Sequence, residues 1–206
     1  YSRRHPNNLE EICGALMPYQ SQLVGVVVES TFNWYWLVDG LQAQGFQVHL
    51  ANTTAIKQYD GLKHRGDESD ARHLAHVFRL GLLPTGHIMP KERRAVRDLA
   101  RKRMQLVQQR STHILSIETQ IDQQRGAHLS SNLIKKLSCN DIDAMGLEAM
   151  ASLAMKANVS LMQSTDQQID LIEKALASHC RHHPGFPLLK SVAGIGDVLA
   201  TVILLE

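Results

Sequence analysis

From Lys91 to Asp122 the chain contains neither glycine nor proline. Those two residues interrupt a helix most readily, so their absence permits one long, unbroken helix. The stretch is polar. Val96, Leu99, Leu106, Ile114, Ile117 and Ile121 recur at an imperfect three-to-four spacing. A long helix with a narrow apolar stripe is the pattern of a coiled coil, and the stripe is a sensible seam for a dimer. Any fold for this chain has to accommodate that rod.

Upstream of Pro90 the texture differs. NNLEEICGALMPYQ predicts a helix capped by Asn7 or Asn8, with Glu10 and Glu11 in its first turn. LVGVVVE, residues 23–29, is a continuous apolar run, as in a strand covered on both faces. TFNWYWLVDGLQAQG predicts a helix ending near Gly45, and FQVHLAN, residues 46–52, a second strand. Strand, helix and strand with short links make a βαβ unit with parallel strands. A polar stretch to Arg65 precedes another helix, HRGDESDARHLAHVFRLG, ending at Gly81. Pro84 and Pro90 mark a connector.

Downstream, a second helical region covers much of 145–181, HHPGFP (182–187) breaks the chain, and LLKSVAGIGDVLATVILLE reads as helix, Gly-x-Gly turn, helix. The stretch between Arg125 and Asp143 has no clear period. The expected organisation is an α/β domain over 1–85, a basic helical region over 91–181, and the start of a further helical domain over 187–206. An apolar content of 44% suffices for a core. Three scattered cysteines imply no disulfide framework and fit a reducing cytoplasm. No run reaches the roughly 18–20 apolar residues of a membrane span, and no signal peptide opens the chain.

Two clusters of like charge carry the functional content. Asp67, Glu68 and Asp70 crowd the start of a helix, and Asp67 and Asp70 are three apart, on one face. Glu29 closes the first valine-rich strand, at the sheet edge where ligands of open α/β sheets bind. Hard carboxylate oxygens with open positions suit magnesium, and two such ions can promote phosphoryl transfer. Capping explains the same residues: Asp67 as N-cap, Asp70 as a first-turn acid, Glu29 as an ordinary loop acid. Both readings stay open on spacing alone.

The second cluster is basic. Lys91, Arg93, Arg94, Arg97, Arg101, Lys102, Arg103 and Arg110, against Glu92 and Asp98, put six net positive charges on residues 91–110 of a chain whose total is +2. Arginine forks suit phosphate, so the run can grip a nucleic-acid backbone. It can equally be a coiled-coil face bridged to a partner helix. Gly194 and Gly196 flank Ile195 in a turn that allows backbone N–H groups to approach a phosphate, or simply packs two helices. His179, Cys180, His182 and His183 have no second pair for a zinc cage. His73 and His76 lie on the Asp70 helix, where either could approach a phosphate. Trp34 and Trp36 read as core.

VVVEST, FQVHLAN and RGDESDARHLA, in that order, resemble the DEDD-type transposases of bacterial insertion sequences (the IS one-ten family). The closing GIG turn resembles the start of that family's second conserved domain. The resemblance implies a RuvC-like catalytic domain on the ribonuclease H fold, with Glu29, Asp67 and Asp70 as catalytic ligands of Mg2+ or Mn2+. It implies DNA as substrate, a structured guide RNA as partner, assembly into dimers or tetramers, and DNA strand cleavage and transfer. The family's first catalytic Asp and its proposed nucleophilic serine match no residue here. The chain is therefore expected to be a piece of the enzyme, with weak metal binding and no strand transfer of its own. Two other readings remain: a non-catalytic nucleic-acid-binding or assembly module, and a junction-resolving nuclease on the same fold.

Overall fold

Two short strands pair in parallel in the first half of the chain. β1 (Val26–Glu29) sets Val26 opposite Val48 and Glu29 opposite Ala51 of β2 (Val48–Ala51). The computed structural model describes residues 2–56 and 66–206, in two compact units, Tyr1–Lys91 and Glu92–Glu206. Residue 1, and the part of the polar stretch and of the HRGDESD segment that falls at 57–65, lie outside the described residues.

In the first unit, α1 (Leu9–Leu16) starts as expected. The Asn8 side chain accepts from the backbone N–H groups of Glu10 and Glu11 at 2.9 and 3.3 Å. α1 and α2 (Tyr35–Ala43) pack on one face of the sheet, where Cys13, Trp34, Val38, Leu41 and Phe46 bury Val28 and Leu50. They approach closely: a Cβ on Gly40 would lie 2.3 Å from the Leu9 side chain, so a larger residue there would have to displace Leu9. α3 (Asp67–Arg79) covers the other face, with Leu74 against Ala51, Ile56 and Val27. Alternate side chains of β1 thus serve both layers, which is why its run shows no polar alternation.

Two expectations need correction. The strand begins at Val26, not Leu23, because pairing begins where the Val26 N–H donates to the Gln47 carbonyl at 2.7 Å; Val24 is 79% exposed. The opening residues 2–6 form no strand. The third strand is β3 (Thr85–Gly86), antiparallel to β2, inside the stretch read as a connector. A two-residue strand beside a proline has no period to read.

In the second unit, α4 (Lys91–Arg125) is the predicted rod, about 52 Å long at 1.5 Å per residue. Short helices α5 (Ser131–Ile134) and α6 (Cys139–Ala144) lead to α7 (Ala149–Cys180), which runs antiparallel to α4. At one end Ile114, Ile117 and Ile121 pack on Met155, Val159 and Met162, under Ile134 and Ile142. At the other, Ala100 meets Leu176, Cys180 and Leu205. The stripe expected to be a dimer seam is therefore covered by the chain's own α7.

Between the two apolar ends two ion pairs flank the buried Ile169: Arg103 pairs with Glu173 at 2.6 Å and Arg110 with Asp166. Beside the isoleucine end Asn158 bonds His113 and Ser116, each at 3.1 Å. The two arginines are one heptad apart, and so are the two acids. Each pair occupies a core layer and locks the antiparallel register.

α8 (Gly185–Lys190) and α9 (Asp197–Leu205) pack on each other, and Leu204 and Leu205 reach the α4–α7 cluster, so residues 187–206 belong to the second unit. HHPGFP breaks the chain only briefly. Pro187 sits in the first turn of α8, where a missing N–H costs nothing. No helix among the described residues is long and apolar enough to cross a membrane. Cys13, Cys139 and Cys180 are free thiols.

Candidate functional site

A cleft of about 760 Å³ opens between β1 and α3. Val27, Leu74 and Phe78 make its apolar floor, and Glu29, Asp67 and Asp70 all line it. All three acids therefore sit on one side of the sheet. The route there is local. β1 ends as Thr31 donates its N–H to the Glu29 carbonyl at 2.8 Å, which leaves Glu29 exposed at the strand's carboxyl end. Gly66, at φ +130°, turns the chain into α3 in a conformation that favours glycine. Gly66 is also the N-cap and offers no side chain, so Asp67 is the first helical residue and not the cap. The acids of that turn instead meet the positive end of the helix dipole.

The three acids of the α3 turn differ in their partners. Asp67 stands 3.4 Å from Arg4, both over 90% exposed, a pair worth little in water. Glu68 accepts from Arg72 one turn on, at 2.8 Å; hydrogen bonds from Ser2 and then Arg72 hold its carboxyl below the ordinary glutamate range. Asp70 is half-buried. Its Oδ1 is shut away from solvent without a hydrogen-bond partner among the described residues. Leaving a buried acceptor unsatisfied costs about 1–3 kcal/mol, and more when it is charged.

A hard cation suits this donor set in part. Carboxylate oxygens and the orphaned Asp70 Oδ1 are magnesium or manganese chemistry. Yet no group of three His, Cys, Asp or Glu side chains among the described residues is gathered closely enough to hold a metal ion. Glu29, Asp67 and Asp70 share a cleft without closing a cage. Sequence reading passed over two neighbours: Phe32, 99% exposed three residues after Glu29, and Arg79, which lines the far end of the cleft. A lone aromatic in a turn gives no periodic signal.

The basic run of α4 is disposed quite differently. Arg94 and Arg97 are buried. Arg101 makes a forked pair with Glu206 at 2.7 and 2.6 Å, which holds that carboxyl below the glutamate range. Arg103 and Arg110 belong to the seam. Arg93 is exposed, and Lys102, also exposed, reaches only Gln105 at 3.0 Å. The positive stripe is largely neutralised by its own fold. Gly194, at φ +89°, makes the turn before α9; Gly196 is its N-cap, in extended backbone with open space around it. Lys190 and Asp197 pair across that turn. The His183 ring accepts from the Gly185 N–H at 3.1 Å, a structural role at the start of α8. Trp34 is core, edge-on to Tyr35 at 4.5 Å.

The family model described as the transposase domain of DEDD IS110-type elements matches residues 2–124, which takes in the first unit and nearly all of α4. No curated protein matches the chain. Proteins of this family are DNA-transposing enzymes that generally use divalent metals. With the strand-end glutamate, the acidic start of α3 and most of the chain inside the matched stretch, the protein belongs to the DEDD transposases of the IS110 type.

Proposed function

We propose that this chain carries part of the catalytic centre of a transposase that cleaves and transfers the DNA strands of an insertion sequence. The observation that carries the reading is the buried Asp70 Oδ1, without a partner among the described residues, in a cleft shared with Glu29 and Asp67. In this reading those three carboxylates hold magnesium or manganese, on a RuvC-like, ribonuclease H-like sheet. The bound ion would supply charge neutralisation at the phosphate and a more acidic water. The chain's own part is to fix the donors. Glu29 is held by the β1–β2 ladder and Asp70 by the first turns of α3, so neither depends on a loose loop. The floor of Val27, Leu74 and Phe78 keeps water from one side of the acids. Phe32 offers an aromatic face to an unstacked base.

Nucleic-acid contact falls to Arg93 and Lys102, with Arg101 available once Glu206 is displaced, and to backbone N–H groups at Gly194 and Gly196. Arg94, Arg97, Arg103 and Arg110 act by holding the helix they sit on. A structured guide RNA and assembly as a dimer or tetramer complete the proposal.

The lack of a closed three-ligand cluster among the described residues favours a second reading, a nucleic-acid-binding module in which the acids only serve the helix start. Manganese titration of the chain, followed by electron paramagnetic resonance, separates the two. Weak binding that D70N and E29Q each reduce at least about tenfold supports the catalytic reading. Binding absent, or unchanged in both variants, sinks it.

A further inference from the structure

α3 rests on the sheet at evenly spaced points. In the middle, Leu74 packs on Val27 and Ala51. Four residues later, Phe78 meets His49 of β2, with ring centroids 4.5 Å apart and planes tilted by 44°. Four residues earlier stands Asp70, in the cleft that Glu29 also lines. The strand side repeats the order. Gly25, Val27 and Glu29 are alternate residues and share one face. Four helical residues span about 6 Å, and two strand residues about the same. α3 therefore crosses β1 as a beam on a central support, with the rings at one end and the acids at the other.

Gly25 sets the height of the ring end. A Cβ there would lie 2.8 Å from His49 Cδ2 and 3.0 Å from Phe78 Cζ. Carbon atoms rest at roughly 3.5–4.0 Å, so the two half-buried rings are seated on the bare glycine backbone. Leu74 is buried against Ala51, Ile56 and Val27, which holds the middle of the beam in place. A close-packed interior passes a displacement at one end on to the other. We propose that His49 and Phe78, seated on Gly25, are positioning residues for the acids. Their stack sets the tilt of α3 about Leu74, and with it the gap between Asp70 and Glu29. That gap matters because magnesium demands near-ideal placement of its oxygen ligands.

The consequence for metal rests on the catalytic reading proposed above, whereas the tilt is a property of the fold alone. Crystal structures of variants of the whole chain test the tilt. G25A should lift the ring end and bring the Asp70 Cα about 0.5–1 Å closer to β1. F78L, with its shorter side chain, should let the ring end sink and move Asp70 the other way. G25A/F78L should return Asp70 to its wild-type place. Manganese titration by electron paramagnetic resonance tests the consequence. Each single variant is expected to weaken binding about tenfold, and the double variant to regain most of it. Two changes that only destabilised the fold would not offset each other in this way. Asp70 unmoved in F78L, or displaced in the same direction by G25A and F78L, would overturn the inference. So would manganese affinity that is indifferent to both. If G25A fails to fold, the direction of the F78L shift decides. Asp70 displaced as expected, with no manganese bound even by wild type, supports the tilt and counts against the catalytic reading alone.

Discussion

The starts of α3 and α4 both look like violations of good charge design: three acids in four residues in one, eight bases in twenty in the other. The fold treats them oppositely. On α4, Arg103, Arg110 and Arg101 each meet a carboxylate, from Glu173, Asp166 and Glu206. On α3, Asp70 keeps a buried oxygen with no partner among the described residues, and Glu29, in the same cleft, is in no ion pair among them. A charge run that its own chain answers is a packing device. Of the α3 acids, Asp67 and Glu68 meet Arg4 and Arg72, and a carboxylate such as Asp70, left unanswered in a cleft, calls for an external partner of opposite sign. By that criterion the acids are the better functional candidates, although the bases are more conspicuous in the sequence.

The contrast breaks most visibly at the α4–α7 seam. Arg110→Ala strands a partly buried Asp166 and should cost about 2 kcal/mol, between the values for buried and surface pairs. R110L/D166L should recover most of that loss, because a leucine pair suits a core layer. Urea unfolding followed by circular dichroism reads both. A negligible loss in the single variant would mean the pair is only a surface contact.

DNA binding sharpens it next. R93A/K102A should weaken binding several-fold and lower the slope of log affinity against log salt by about one per side chain removed. The charge-removing pair R103Q/E173Q should leave that slope unchanged. Equal effects would return the paired arginines to the DNA-contacting set.

Asp70→Asn offers a smaller, opposite effect. Removing the charge from an unsatisfied buried oxygen should raise stability in metal-free buffer by about 1 kcal/mol or less. Asp166→Asn should lower it. If both destabilise alike, Asp70 has a partner and the asymmetry is lost.

The smallest effect is in the pH profile. The Arg101 contact lowers the folded-state pKa of Glu206, so its contribution is fully present above the ordinary glutamate range and is lost as pH falls through the lowered value. Both side chains are substantially exposed, so the difference between wild type and R101A should be about 0.5 kcal/mol or less. It should vanish at the acid end of a series of unfolding midpoints.

Local signals were legible without coordinates. The α4 rod, the Asn8 cap, the parallel β1–β2 pairing across α2, and helix ends at Gly45 and Gly81 all follow from near-neighbour physics: periodicity, capping and left-handed glycine, with φ +81° and +69° at those two glycines. Neighbourhood in sequence also fixed that Asp67 and Asp70 share a helix face. Whether they share a cleft with Glu29 depended on how α3 crosses β1, some forty residues away. Tertiary structure alone decided that the α4 stripe is spent on α7, because a heptad pattern says that a helix has a partner and not which one. It also decided that most of the arginines are paired, because a charge is neutralised by whatever the fold brings within a few ångströms of it, and the opposing acids lie 56 to 105 residues further along the chain.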